Sequence, residues 1–145
     1  MQTQNLKPQI DADERRSLIN ATTERILRAA YQVSNVLGSG FLEKVYENAL
    51  VHELRKSGLK VAQQHGIEVH YDGVTVGSFS ADLLVEGRVL LELKAAKALD
   101  DSHVAQCLNY LKATGIAVCL LVNFGRPKIE IRRFVFGPPM DTDGR

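Results

Sequence analysis

The sequence predicts an α/β domain on a mixed sheet of about five strands, and three observations carry that prediction. Two stretches of helical period come first, over residues 18–37 and 42–56. Three strand-like runs follow at hairpin spacing, 60–71, 74–85 and 88–95, which reads as an antiparallel meander. A third helical stretch, 100–114, then leads into the unbroken apolar run 116–122. A strand, a helix and a buried strand in series form a crossover, which sets the two strands parallel.

Each element has its own warrant. Residues 1–12 are polar and read as a flexible lead-in, 13–136 as a single domain and 137–145 as a tail. In the first helix Ile26, Ala29, Ala30, Val33 and Leu37 recur at three- and four-residue spacing, and Gly38-Ser39-Gly40 stops it. In the second, Leu42, Val45, Tyr46, Ala49, Leu50 and Leu54 form the apolar stripe, and Gly58 follows. Glu43 and Glu47 lie one turn apart beside that stripe. They read either as solvated flank residues or as a pair of which one reaches an acidic site. Ile67, Val69 and Tyr71 alternate up to the hairpin turn Asp72-Gly73, and Gly77 marks a bulge or a close backbone approach. Asp100, Asp101 or Ser102 caps the third helix, whose apolar face is Val104, Cys107, Leu108 and Leu111 and which Gly115 ends. Ile129 and Ile131, with Phe134 and Phe136 beyond them, read as the inward residues of an alternating last strand over 128–136.

The 145 residues suffice for one core, and a composition 45% hydrophobic and 24% charged excludes a disordered chain. A net charge of +1 neither requires nor excludes nucleic acid. No apolar run approaches the roughly 20 residues of a membrane span, and the first residues lack the apolar core of a signal peptide. Cys107 and Cys119 stand alone, without metal-ligand spacing, which reads as reduced thiols in a cytoplasmic protein. His52, His65, His70 and His103 show no zinc-ligand spacing. There is no P-loop, dinucleotide fingerprint or Gly-x-Ser-x-Gly. Arg126, Lys128, Arg132 and Arg133 make the C-terminal strand basic, suited to phosphates or to protecting a sheet edge.

The chemistry concentrates in the hairpin 80–95. Asp82, Glu92 and Lys94 are charges inside apolar strands, which is costly unless they pair or hold a metal. Glu92 and Lys94 share a face. Asp82 joins them if the loop is Val85-Glu86-Gly87, pairing Leu84 with Arg88 and using Gly87 in the left-handed region. It does not if a two-residue loop pairs Val85 with Arg88. Two carboxylates on one face make a hard-oxygen site for Mg²⁺ or Mn²⁺, and Lys94 beside them suits a water or a phosphate. That combination is the equipment of phosphodiester hydrolysis. A structural ion pair of Lys94 with Glu92 or Asp82 is the other reading of the same residues. Gln106 and Tyr110, one turn apart on the third helix, either face this site or are ordinary flank and core residues, and His103 lies one turn before Gln106.

At these residues a family resemblance appears. Asp82 followed by Glu92-Leu-Lys94 resembles the D…(D/E)xK signature of the PD-(D/E)xK nuclease superfamily, and Gln106-Cys-Leu-Asn-Tyr110 is similar to its QxxxY element. Gly40-Phe-Leu-Glu43-Lys-Val-Tyr46 matches the motif that names the GxxExxY family, and Leu121-Val-Asn-Phe-Gly125 follows the same pattern. The resemblance spans about residues 26–136. It implies a restriction-endonuclease-like core, a divalent cation held by Asp82, Glu92 and the Leu93 carbonyl, and Lys94 serving the water or phosphate. It further implies Glu43 as an extra acidic ligand, Gln106 and Tyr110 lining the site, and nucleic acid, DNA favoured over RNA, as substrate. A binding module without cleavage and a protein-interaction subunit are the competing functions on this fold. The small size leads us to expect a homodimer or a partner protein to complete the substrate groove; a monomer by light scattering that cleaves alone would exclude it.

Overall fold

The computed structural model describes residues 11–136. Residues 1–10 of the expected lead-in and all of the expected tail lie outside the described residues. The order is α1 (Ala12–Leu37), α2 (Glu43–Lys56), β1 (Val61–Tyr71), β2 (Val74–Val85), β3 (Val89–Lys94), α3 (Asp101–Thr114), β4 (Val118–Asn123) and β5 (Glu130–Val135). The five strands lie side by side in chain order. Only β3 and β4 run parallel, joined by α3; the other pairs are antiparallel. The expected architecture is the observed one.

Helix α1 starts about six residues before the apolar stripe suggested. Asp11 accepts from Glu14 N–H at 2.8 Å while Glu14 reaches back to Asp11 N–H, a capping box that satisfies two of the donors a helix start leaves open. The sheet is buried on both faces. Val89, Leu91, Leu93, Val118, Leu120 and Val122 pack with α1 and α2, whereas Leu90, Cys119 and Leu121 pack with α3. This is strand alternation with apolar residues on both sides.

Helix α2 is rotated from its expected pose. Its buried side is Tyr46, Glu47, Leu50, Val51 and Leu54; Leu42 and Val45 are exposed. Both stripes have helical spacing, and packing on the sheet chooses the one that takes a glutamate inside. On α3, likewise, Tyr110 is buried and Leu108 is not, and Phe136 lies outward rather than inward.

Tyr46 ties the α1–α2 loop to the sheet. Its hydroxyl donates to the Gly38 carbonyl at 2.6 Å and accepts from Phe41 N–H at 3.1 Å. Its ring stacks on Phe124, centroids 4.7 Å apart and 5° from parallel. Gly40 takes φ 118°, open to glycine alone at little cost. Within Gly40-x-x-Glu43-x-x-Tyr46 the glycine and tyrosine thus build the loop that launches α2. Tyr46→Phe keeps the stack but strands both partners, and is expected to cost about 1–2 kcal/mol in urea unfolding; an unchanged midpoint would show the hydroxyl to be dispensable.

Candidate active site

The β2–β3 turn positions the site. Glu86 (φ 55°) and Gly87 (φ 65°) are both left-handed, and Arg88 N–H donates to the Val85 carbonyl at 3.0 Å, as in a type I′ turn. Arg88 is then an extra residue, for pairing resumes at Val85 with Val89. Both loops considered from the sequence are corrected by this register: Leu84 pairs with Leu90, two residues from the three-residue version and one from the two-residue version. Carried on, it sets Asp82 across from Glu92. Glu86 tolerates its strained backbone because its carboxylate accepts from Lys60 N–H at 2.6 Å and its N–H donates to the Lys60 carbonyl at 2.8 Å.

The β2–β3 ladder ends at Leu83 with Leu91. Beyond it, carboxylates take the place of carbonyls. Asp82 N–H donates to Glu92 Oε1 at 3.0 Å, and Leu93 N–H donates to Asp82 Oδ2 at 2.7 Å. Two backbone donors that the splayed strands would leave unpaired are thereby satisfied. The Leu93 carbonyl leaves the strand on the same edge as its N–H, beside Asp82.

The electrostatics are strained. Glu92 is 3% exposed. Burial, and then the charge of Asp82, push its carboxyl up to about 8, against the pull of the Asp82 N–H and Lys94. Burial also raises Asp82, opposed by its bonds from Leu93 and Gln64. Lys94 is half-buried and its charge acts on both. Among the described residues it forms an ion pair with neither.

Glu47 reaches the site from α2. Burial pushes its carboxyl up, but bonds from Gln64, Gln63 and Lys44 outweigh it and hold Glu47 below the usual range. Gln63 Nε2 donates to Glu47 Oε2 at 2.7 Å; Gln64 Nε2 donates to Glu47 at 3.0 Å and to Asp82 Oδ1 at 3.2 Å. Consecutive residues of a regular strand point to opposite faces. These two reach one carboxylate because Gln64 sits at φ 55°. The faces of β2 switch at the same place: Leu83 packs with α1 and α2, yet Ala81 packs with α3. Glutamine has no preference for this backbone, so the sequence carried no signal for Gln64. Glu43, one turn before Glu47, is exposed, but its charge is felt by Glu92.

Helix α3 closes the other side. Gln106 Nε2 donates to Tyr110 Oη at 3.0 Å, and Tyr110 Oη donates to the Ser80 carbonyl at 3.2 Å, two residues before Asp82. Burial, then the Glu92 charge, raise the Tyr110 hydroxyl. His103 caps its own helix, its Nδ1 accepting from Asp100 N–H at 3.2 Å. Of the basic C-terminal residues, Arg133 bonds Asn20, Arg132 lies over Phe134 and Arg126 pairs with Glu130.

Asn123, fully buried, clamps the chain leaving Lys94. Its Oδ1 accepts from Ala96 N–H and Gly125 N–H, and its Nδ2 donates to the Ala96 carbonyl and Glu130, each at 2.9 Å. The role of Asn123 was not foreseen, although its segment belongs to the motif set.

Among the described residues, no three His, Cys, Asp or Glu side chains are already gathered as a metal-ligand cluster. The site nevertheless fits a hard divalent cation. Mg²⁺ needs only one or two protein carboxylates and keeps several waters. Asp82 and Glu92 would supply the carboxylates, with the Leu93 carbonyl beside them, and a cation would relieve the burial and repulsion that lift Glu92.

A search of curated proteins returns no match. Two solved structures are similar in fold. One is described as an alkaline exonuclease (LHK-Exo) from Laribacter hongkongensis, at 16% identity, 65% of this chain, 56% of that one and TM-score 0.48. The other is described as SSO0001, at 16% identity, 90% of this chain, 66% of that one and TM-score 0.50. The chain therefore spans 56% and 66% of the lengths of these two. Its core is restriction-endonuclease-like. A family model described as the PD-(D/E)XK nuclease superfamily matches residues 20–134. With that match over most of its length, the chain belongs to the PD-(D/E)XK nuclease superfamily.

Proposed function

We propose that this protein is a nuclease that hydrolyses phosphodiester bonds in nucleic acid, DNA in preference to RNA, with Mg²⁺ or Mn²⁺ as cofactor. The observation that carries the reading is the pair of half-buried Asp82 and buried Glu92, exchanging bonds with its own backbone and flanked by Lys94, in a chain of this superfamily. When bound, the cation screens phosphate charge and lowers the pKa of water. Asp82, Glu92 and the Leu93 carbonyl would hold it. Glu43 extends the set from the start of α2. Glu47 serves as a positioning residue, its carboxylate being taken up by Lys44, Gln63 and Gln64. Lys94 stabilises negative charge developing on the phosphate. The Gln106–Tyr110–Ser80 chain of bonds holds β2 against α3, which keeps Asp82 facing Glu92.

Gly40, Glu43 and Tyr46, with the segment 121–125, further support the GxxExxY group within the superfamily. The buried free thiols of Cys107 and Cys119 support a reducing, cytoplasmic setting. Among the described residues no helix is long and apolar enough to cross a membrane.

The test is cleavage of single-stranded, duplex and branched DNA and of RNA with Mg²⁺ or Mn²⁺, wild type beside Asp82→Asn and Lys94→Ala. Both variants are expected to lose activity by roughly 100-fold or more. Equal cleavage by all three proteins would sink the assignment.

A further inference from the structure

A cavity of about 890 Å³ lies between α3 and the outer half of the β1–β2 hairpin, and Lys94 stands in its wall. Lys94, Gln106 and Tyr110 are thus shared between this cavity and the surroundings of the Asp82–Glu92 pair. Its walls differ in character from that pair. Lys94, Lys112, His70 and His103 line it, with amide and hydroxyl groups and the rings of Phe79 and Tyr110. Among the described residues that line it, none is acidic.

Phe79 is 53% exposed, although it lies on a strand facing the cavity. Its ring is held in place on two sides. The Tyr110 ring is 6.4 Å away, tilted by 44°. The Phe79 ring edge also passes over Gly77, where a Cβ would stand 3.2 Å from the ring. A β-bulge lies beside this point, since Val69 pairs with Gly77 but His70 pairs with Thr75, leaving Val76 unmatched. The Phe79 ring thus lies on the wall of a groove that is largely apolar, with Val69, Ala105 and Ala113 in it, and that carries lysine, histidine and amide side chains.

We infer that this groove binds a single strand of nucleic acid, with one base stacked on Phe79 and the adjoining phosphates near Lys112 and Lys94. The inference rests on the nuclease reading only for what the strand is delivered to. Base stacking on an aromatic ring beside a cationic track is how proteins hold single strands without reading their sequence. A cavity in the range of about 300–1,000 Å³ suits a small group held on most sides, and a base of a single strand, unlike one stacked inside a duplex, is free to enter it and stack on the ring.

The test uses the full chain in EDTA, where binding is read apart from cleavage, by anisotropy of fluorescein-labelled 12-residue oligo-dT, oligo-U and duplex DNA. Phe79→Ala is expected to weaken single-strand binding roughly 10-fold or more, Phe79→Trp to retain it, and Tyr71→Ala, on the exposed hairpin end outside the groove, to leave it unchanged. Melting curves confirm that the variants fold. Phe79-dependent binding of either strand supports the inference. Tighter binding of duplex, equal affinity of Phe79→Ala and wild type, or no binding of any probe overturns it. Cleavage that depends on Asp82 with binding indifferent to Phe79 would end this inference and spare the nuclease reading. Phe79-dependent binding with no cleavage in any metal would do the reverse.

Discussion

Glu92→Gln is expected to lose cleavage on the order of 1,000-fold and yet to melt at a higher temperature than wild type in metal-free buffer at pH 8. The two effects share one cause. Unfolded, Glu92 titrates near 4.5; folded, near 8. Between those values the folded chain holds a proton that the unfolded chain has released. Stability contributed by the neutral carboxyl is therefore fully present below pH 4.5 and is lost as pH rises to about 8, at up to roughly 1.4 kcal/mol per unit. Glutamine stays neutral throughout, and its carbonyl still accepts from Asp82 N–H. The variant should escape that slope and gain on the order of 2–4 kcal/mol at pH 8. Added Mg²⁺ should raise the melting temperature of wild type and leave the variant almost unmoved, because only a ligand bound to the folded state stabilises it. Parallel pH–stability curves for the two proteins would show that Glu92 is ordinary in the folded state.

Gly125→Ala is expected to be among the most damaging single-methyl changes in the chain. A Cβ at Gly125 would lie 2.3 Å from both Ala96 N and Ala96 O and 2.6 Å from Ala95 C. These are backbone atoms, with no rotamer to move aside. The segment after Lys94 must shift, and it cannot shift without breaking the Asn123 clamp or the bond from Phe124 N–H to the Lys94 carbonyl at 2.8 Å. We expect a loss of about 3 kcal/mol or more in denaturant unfolding, together with loss of cleavage through displaced Lys94. Should the variant fail to express, Asn123→Ala leaves Ala96 N–H and C=O without partners and is expected to cost about 2–3 kcal/mol. Wild-type stability and activity in Gly125→Ala would mean that the strand ends are not closely packed.

The architecture was legible because every element shows its own period, and because a helix between two apolar runs leaves a parallel crossover as the economical connection. The acidic hairpin was legible because charges inside apolar strands are rare. What escaped depended on choices that periodicity leaves degenerate. In α2 the stripe through Leu42 and Val45 and the stripe through Glu47 and Val51 are equally helical; tertiary packing alone selects the second and brings Glu47 inward. The β2–β3 register turned on whether Arg88 pairs or bulges, and turn preferences for Glu86-Gly87 do not settle that. Gln64 is the deepest case. Its left-handed backbone lets it bond Glu47 and Asp82, and glutamine has no preference of its own that announces such a backbone. Asn123 was visible within a motif, but its work, four bonds to two separate segments, exists only once the chain is folded.

The switch of faces at Gln64 and Asp82 has a consequence for how such a protein can evolve. Without it, the outer half of the β1–β2 ribbon would continue the face that packs under α1 and α2, and each change there would be felt in the main core. With it, Ile67, Val69 and Phe79 look instead toward α3 and the groove. Mutations that alter what the ribbon grips are thereby separated from those that alter the carboxylates. Selection can re-tool the gripping end while inheriting the cutting end unchanged, which gives a small scaffold two nearly independent traits on one pair of strands.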